Sequence, residues 1–156
     1  MAPGSSRRPG GFSLIELLVV VALIAIAAAT VSLALRDPAA ARLEREAERL
    51  AALFEAARAE GRAAGLEVQW RPLPPDEASG DQFRFEGLPP GVALPGRWLD
   101  AQAPAVLIAQ GRRTVSLGPE PLIGAQQLRL SLGSQQIALT TDGLGPFQVA
   151  PVAAEQ

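Results

Sequence analysis

The sequence predicts an α+β fold in which a long N-terminal helix packs its second half on an antiparallel β-sheet body. Three observations carry that prediction. From Phe12 to Leu35 the chain runs apolar without a proline or a glycine and with one charge, Glu16. From Leu43 to Ala64 apolar residues recur at alternating spacings of four and three, the period of one helix face. From Leu66 onward the pattern changes to alternation broken by proline and glycine, the signature of short strands and turns.

The first eleven residues hold Arg7, Arg8, glycine, serine and proline, and they are read as a leader outside the folded structure. Residues 12–35 follow as a helix of roughly 36 Å at about 1.5 Å per residue, enough to cross a hydrocarbon core of about 30 Å. Arginines on the short N-terminal side place that end in the cytoplasm and the C-terminal body outside it. Glu16 is the anomaly within this segment, because an ionised carboxylate at mid-bilayer costs up to about 3 kcal/mol on insertion scales. It calls for a partner. Ala22, Ala25 and Ala29 recur at helical spacing and offer a small-residue face for close helix packing. An ordinary signal peptide cleaved after Ser32-Leu33-Ala34 is the rival, and it is opposed by the length of the run and by Glu16.

Residues 36–65 are predicted as an amphipathic continuation of the helix, gently kinked at Pro38, with Asp37 as an alternative cap for a new helix. Its apolar stripe comprises Leu43, Ala47, Leu50, Phe54, Ala57, Gly61 and Ala64, and its charged positions, such as Glu46 with Arg49, are assigned to a solvated face. Gly65 is the predicted C-cap.

Residues 66–156 make the β-rich body. Strands are predicted at Leu66, Val68 and Trp70, at Phe83 and Phe85, over 105–109 and over 114–117, with Trp98 and Leu99 docked on the core. The segment 128–140 reads as a hairpin about Gly133-Ser134, with Leu130 opposite Ile137 and Leu128 opposite Leu139. A three-residue loop after Thr141 then places Phe147 and Val149 opposite Leu139 and Ile137.

Composition narrows the chemistry. The formal charge is -2, and removal of residues 1–11, with two arginines and no acid, lowers it to -4. That balance gives no expectation of nucleic-acid binding. The chain has no cysteine, histidine, tyrosine or lysine. Histidine-based triads, thiolate nucleophiles, Schiff-base lysines and Cys/His zinc sites are therefore excluded. No catalytic residue, metal or cofactor is expected, and the chain is not read as an enzyme. Asp76 and Glu77 are adjacent carboxylates in a proline-rich loop, and Asp142 is read as a turn residue.

The stretch Gly11-Phe12-Ser13-Leu14-Ile15-Glu16, behind a basic leader and ahead of an apolar helix, resembles the processing signal of type IV pilins and type II secretion pseudopilins. The resemblance implies cleavage by a prepilin peptidase between Gly11 and Phe12 and methylation of the new Phe12 amine. It places Glu16 fifth in the mature chain, where the Phe12 amine of an incoming subunit meets the Glu16 carboxylate of a neighbour and sets register. The layout and the closing stretch from Ile137 to Phe147 resemble, within that family, the H-type minor pseudopilin (GspH/FimT-like). The implied function is a structural subunit of a periplasmic pseudopilus that helps export folded proteins across the outer membrane. Its implied partners are other pseudopilins, the prepilin peptidase and the inner membrane. A minor type IV pilin is the alternative, and a signal-peptide-bearing periplasmic protein ranks below it. Two departures from major subunits stand out: residues 12–35 lack a helix-breaking proline, and no clustered acidic loop of the calcium-binding kind lies near the C-terminus.

Overall fold

The computed structural model describes residues 13–34, 38–74 and 80–152, with side chains 28–34 outside that description. The chain divides into two compact units, one up to Arg36 and one from Asp37.

The first unit contributes helix α1, Leu14–Ala34. Every side chain from Ser13 to Ala27 is exposed within it, including Leu14 at 78% and Leu23 at 61%. The membrane-spanning run expected over 12–35 is not met here: among the described residues no helix is long and apolar enough to cross a membrane. The side chains described reach only from Leu14 to Ala27 of α1, about 21 Å of helix at the usual rise, short of the roughly 30 Å of a hydrocarbon core. The predicted junction with the next helix falls on residues 35–37, outside the described residues.

The second unit opens with helix α2, Pro38–Ala64. Pro38 is its first residue, the position where a missing N–H costs nothing. At the other end Gly65 adopts φ 66°, and the Leu66 N–H donates to the Gly61 carbonyl at 3.0 Å. That bond, six residues back to one, is a Schellman cap and fulfils the expected stop. Seven strands follow: β1 Val68–Pro72, β2 Phe83–Glu86, β3 Ala105–Ile108, β4 Val115–Gly118, β5 Gln126–Leu132, β6 Gln135–Thr141 and β7 Gln148–Pro151. They form two antiparallel sheets where a single one was expected, ordered β2-β1-β4 and β3-β5-β6-β7.

α2 packs against β1 and β4 of one sheet and β5, β6 and β7 of the other. Leu43, Ala47, Leu50, Phe54, Ala57 and Gly61 are buried as the stripe predicts, whereas Ala64 in the last turn is exposed. Phe54 sits edge-on to three rings, with centroids 5.3 Å from Trp70, 4.8 Å from Phe147 and 6.3 Å from Phe85. Phe83 extends the cluster to Trp98 at 4.8 Å. Such edge-to-face pairs each add about 0.5–1.5 kcal/mol beyond area burial. Among the described residues every aromatic side chain belongs to this cluster.

The hairpin has the predicted register, Leu130 opposite Ile137 and Leu128 opposite Leu139. Gly133 has φ 61°, as the first central residue of a type II′ turn requires. The next turn departs from expectation. Val149 pairs with Leu139 and not with Ile137, a slip of two that keeps its side chain on the same face. The loop is longer because side chains of α2 hold it, as described below. Leu66 lies outside β1 and is 39% exposed. Trp98 docks on the core as predicted, but Leu99 is 59% exposed, since its backbone and not its side chain is the anchored part.

Gln126 joins the two sheets. Its side chain is 8% exposed, accepts from the Ser116 N–H at 2.9 Å and donates to the Ser116 carbonyl at 2.8 Å. It thereby acts as a one-residue strand on the open side of β4. Gln126→Ala leaves both Ser116 groups without these bonds, and each such loss costs about 1–3 kcal/mol when buried. The expected result is a lower unfolding midpoint in urea, followed by the near-ultraviolet circular dichroism of Trp70 and Trp98, while Gln127→Ala on the exposed face leaves the midpoint unchanged.

Candidate functional site

The N-terminal end of α1 is the first candidate. The Ser13 carbonyl accepts from the Leu17 N–H at 3.2 Å and from the Glu16 N–H at 3.0 Å. Ser13 therefore stands at the N-cap and Glu16 at the third helical position, the serine-to-glutamate spacing of a capping box. A carboxylate in the first turn also faces the positive end of the helix dipole, worth about 0.3–1 kcal/mol at a surface. Sequence reasoning treated Glu16 as an anomaly and missed its place in the first turn of the helix, although the serine-to-glutamate spacing was legible. Glu16 is exposed and makes no ion pair among the described residues. Gly11 and Phe12, the predicted cleavage and methylation positions, lie outside the described residues, so the geometry places one of the three predicted site residues.

Residues 6–32 match the prokaryotic N-terminal methylation motif. The match supports the type IV pilin and pseudopilin-like superfamily, with N-methylation and prepilin-type processing. Its span contains Gly11, Phe12 and Glu16. The α+β body, a helix packed on antiparallel sheets, is consistent with a pilin-like fold. No curated protein and no solved structure matches the chain.

In the body, two charged residues assigned to the solvated face of α2 are buried. Glu46 is 4% exposed, and its Oε1 accepts from the backbone N–H groups of Leu99 and Asp100, the latter at 3.1 Å. Arg49 stands 3.8 Å from its Oε2 and donates to the Arg97 carbonyl at 2.9 Å. Together they fix the segment that carries Trp98. Arg58 is 2% exposed and donates to the Gly145 carbonyl at 2.9 Å and to Glu55 at 3.2 Å. Glu55 in turn accepts from the Phe147 N–H at 3.1 Å. The signal was present: Glu46 is three residues past Leu43 and four before Leu50, and Arg58 is four past Phe54 and three before Gly61. Both adjoin the apolar stripe on the helix surface.

These α2 side chains hold the turn between β6 and β7. Asp142 Oδ1 accepts from the Leu144 N–H at 2.9 Å and the Gly145 N–H at 2.8 Å. The Thr141 hydroxyl accepts from the Gly143 N–H at 3.0 Å and donates to the Gly145 carbonyl at 2.9 Å. Gly143 has φ 91°, and a Cβ there would stand 2.5 Å from the Gly124 backbone, so only glycine fits. Asp142 is thus a turn residue, as predicted. Its carboxyl is held below its ordinary 3.8, first by the Gly145 N–H and then by that of Leu144. A lowered native value means the turn is supported above 3.8 and released as pH falls through that native value. The Leu144 and Gly145 amide resonances are expected to titrate with a midpoint under 3.8, and Asp142→Asn to abolish the titration. A midpoint at or above 3.8 contradicts the assignment.

Proposed function

We propose that this chain is a minor pseudopilin of type II secretion, H-type (GspH/FimT-like), and acts as a structural subunit without catalytic chemistry. Residues 1–11 are a leader removed by prepilin peptidase between Gly11 and Phe12, and the exposed Phe12 amine is then methylated. The helix following it anchors the chain in the inner membrane with the body in the periplasm, a placement supported by the apolar sequence from Phe12 to Leu35 and by Arg7 and Arg8 ahead of it. On assembly the helix enters a periplasmic pseudopilus with other pseudopilins, which helps export folded proteins across the outer membrane.

The observation that carries the reading is the methylation motif over residues 6–32 in a chain whose body is a helix laid along antiparallel sheets. A further support is that the described apolar side chains of α1, from Leu14 to Ala27, are exposed. In the proposed assembly the amine of an incoming Phe12 pairs with Glu16 of a subunit already in place. Such a pair adds little net stability when buried, yet removal of one partner strands a charge at roughly 3–5 kcal/mol, which makes it a register device.

The test is co-expression of the tagged chain with and without prepilin peptidase and with the other pseudopilins of a secretion system. Mass spectrometry is expected to find N-methyl-phenylalanine at position 12 only with the peptidase, and capture of the tagged chain is expected to retain other pseudopilins. A mature terminus near Leu35, or processing without any co-capture, contradicts the assignment.

A further inference from the structure

The strand edges of the body are guarded in different ways, and that of β3 is the least guarded among the described residues. Along the outer side of β2, the N–H groups of Gln82 and Phe83 bond the Gly96 carbonyl at 2.7 and 3.0 Å. The open side of β4 is taken by the Gln126 side chain. β7 ends in Pro151, which has no N–H to offer an added strand. β3 pairs with β5 on one side, and among the described residues no backbone hydrogen bond is made from its other side.

β3 is short and follows Pro104, but it carries no guard within the strand itself. Its sequence is Ala105-Val106-Leu107-Ile108, without a charge or a proline, and Leu107 is 64% exposed. Natural edge strands carry such guards because unpaired N–H and C=O groups template pairing with another chain. Beside this edge runs a groove of about 510 Å³, floored by Pro72, Pro74, Val106, Leu107 and Ile108. Arg112 and Arg113 stand at its end, both exposed and without an ion pair among the described residues, and Arg129 lies across from Leu107 on β5. Two exposed guanidinium groups thus stand at one end of this groove, in a chain whose formal charge is negative.

We propose that the β3 edge binds an extended acidic segment of a partner protein as an added strand. Backbone pairing along 105–108 supplies the affinity, the groove takes alternate apolar side chains, and Arg112 and Arg113 select carboxylates. The arginines lie beyond the strand and not within it, so they choose the occupant without blocking the edge. A single-stranded nucleic acid fits less well, since its binding surfaces rely on exposed aromatic platforms, and among the described residues no aromatic side chain is fully exposed. The proposal concerns the body alone and is independent of how the N-terminus is processed.

The test uses the full chain in detergent micelles and a fluorescein-labelled octapeptide of alternating valine and glutamate, read by anisotropy. The same peptide with alternate backbone nitrogens methylated keeps its charge but loses its strand donors, and it is expected to bind at least about tenfold more weakly. The double variant R112E/R113E is expected to lose about tenfold in affinity for the glutamate peptide and to prefer a valine–lysine counterpart. The near-ultraviolet signal of Trp70 and Trp98 checks that the variant is folded. Equal binding of the methylated peptide, indifference to charge reversal, preference for an oligothymidine, or binding of none of the peptides would each overturn the proposal.

Discussion

Phe54 has no exposed surface and touches three other rings, and that contact fixes where both sheets lie on α2. A 27-residue helix with an apolar stripe on one side needs something to cover it. Neither sheet does so alone, because β1 and β4 of one and β5, β6 and β7 of the other all contact α2. Phe54 stands between them, with Trp70 on the first sheet and Phe147 leading into the last strand of the second. Truncation of such a core ring typically costs about 3–5 kcal/mol.

Polar anchors refine what the apolar contact begins. Arg58 and Glu55 reach from α2 to the turn before β7, and Glu46 reaches to the segment that brings Trp98 onto Phe83. Each of these side chains satisfies backbone groups that no strand ladder serves. A buried group left without a partner costs about 1–3 kcal/mol. The anchors therefore convert loops into fixed parts of the body. Among the described residues the buried Trp70 indole N–H has no hydrogen-bond partner, and its ring packs on Phe54 and Phe83.

Much of this was legible. The change from helical to alternating period at Gly65, the buried stripe and the hairpin about Gly133 follow from residue spacing, because each is decided by neighbours close in sequence. The division of the strands into two sheets was not legible, since it depends on β3 and β4, on either side of the turn Ala109–Gly111, joining different sheets. The loop after Thr141 was misjudged because hairpin parity fixes the face of Val149 but not its partner, and the partner is set by Arg58, 87 residues from Gly145. At the N-terminus the motif around Gly11, Phe12 and Glu16 was readable from sequence, whereas the start of the helix at Ser13 became visible only with the backbone.

The two units differ in what they bury: the second encloses an apolar core, and the described side chains of α1, Leu14 to Ala27, are exposed. Among the described residues the hydrophobic core is made of side chains from Leu43 onward, all within the second unit, so that unit is expected to fold by itself. Deletion of residues 1–36 tests it directly. The fragment is predicted to unfold cooperatively at the same urea midpoint as the full chain, with the same near-ultraviolet spectrum from Trp70 and Trp98. A fragment that is unfolded, or that unfolds at a clearly lower midpoint, would contradict the account.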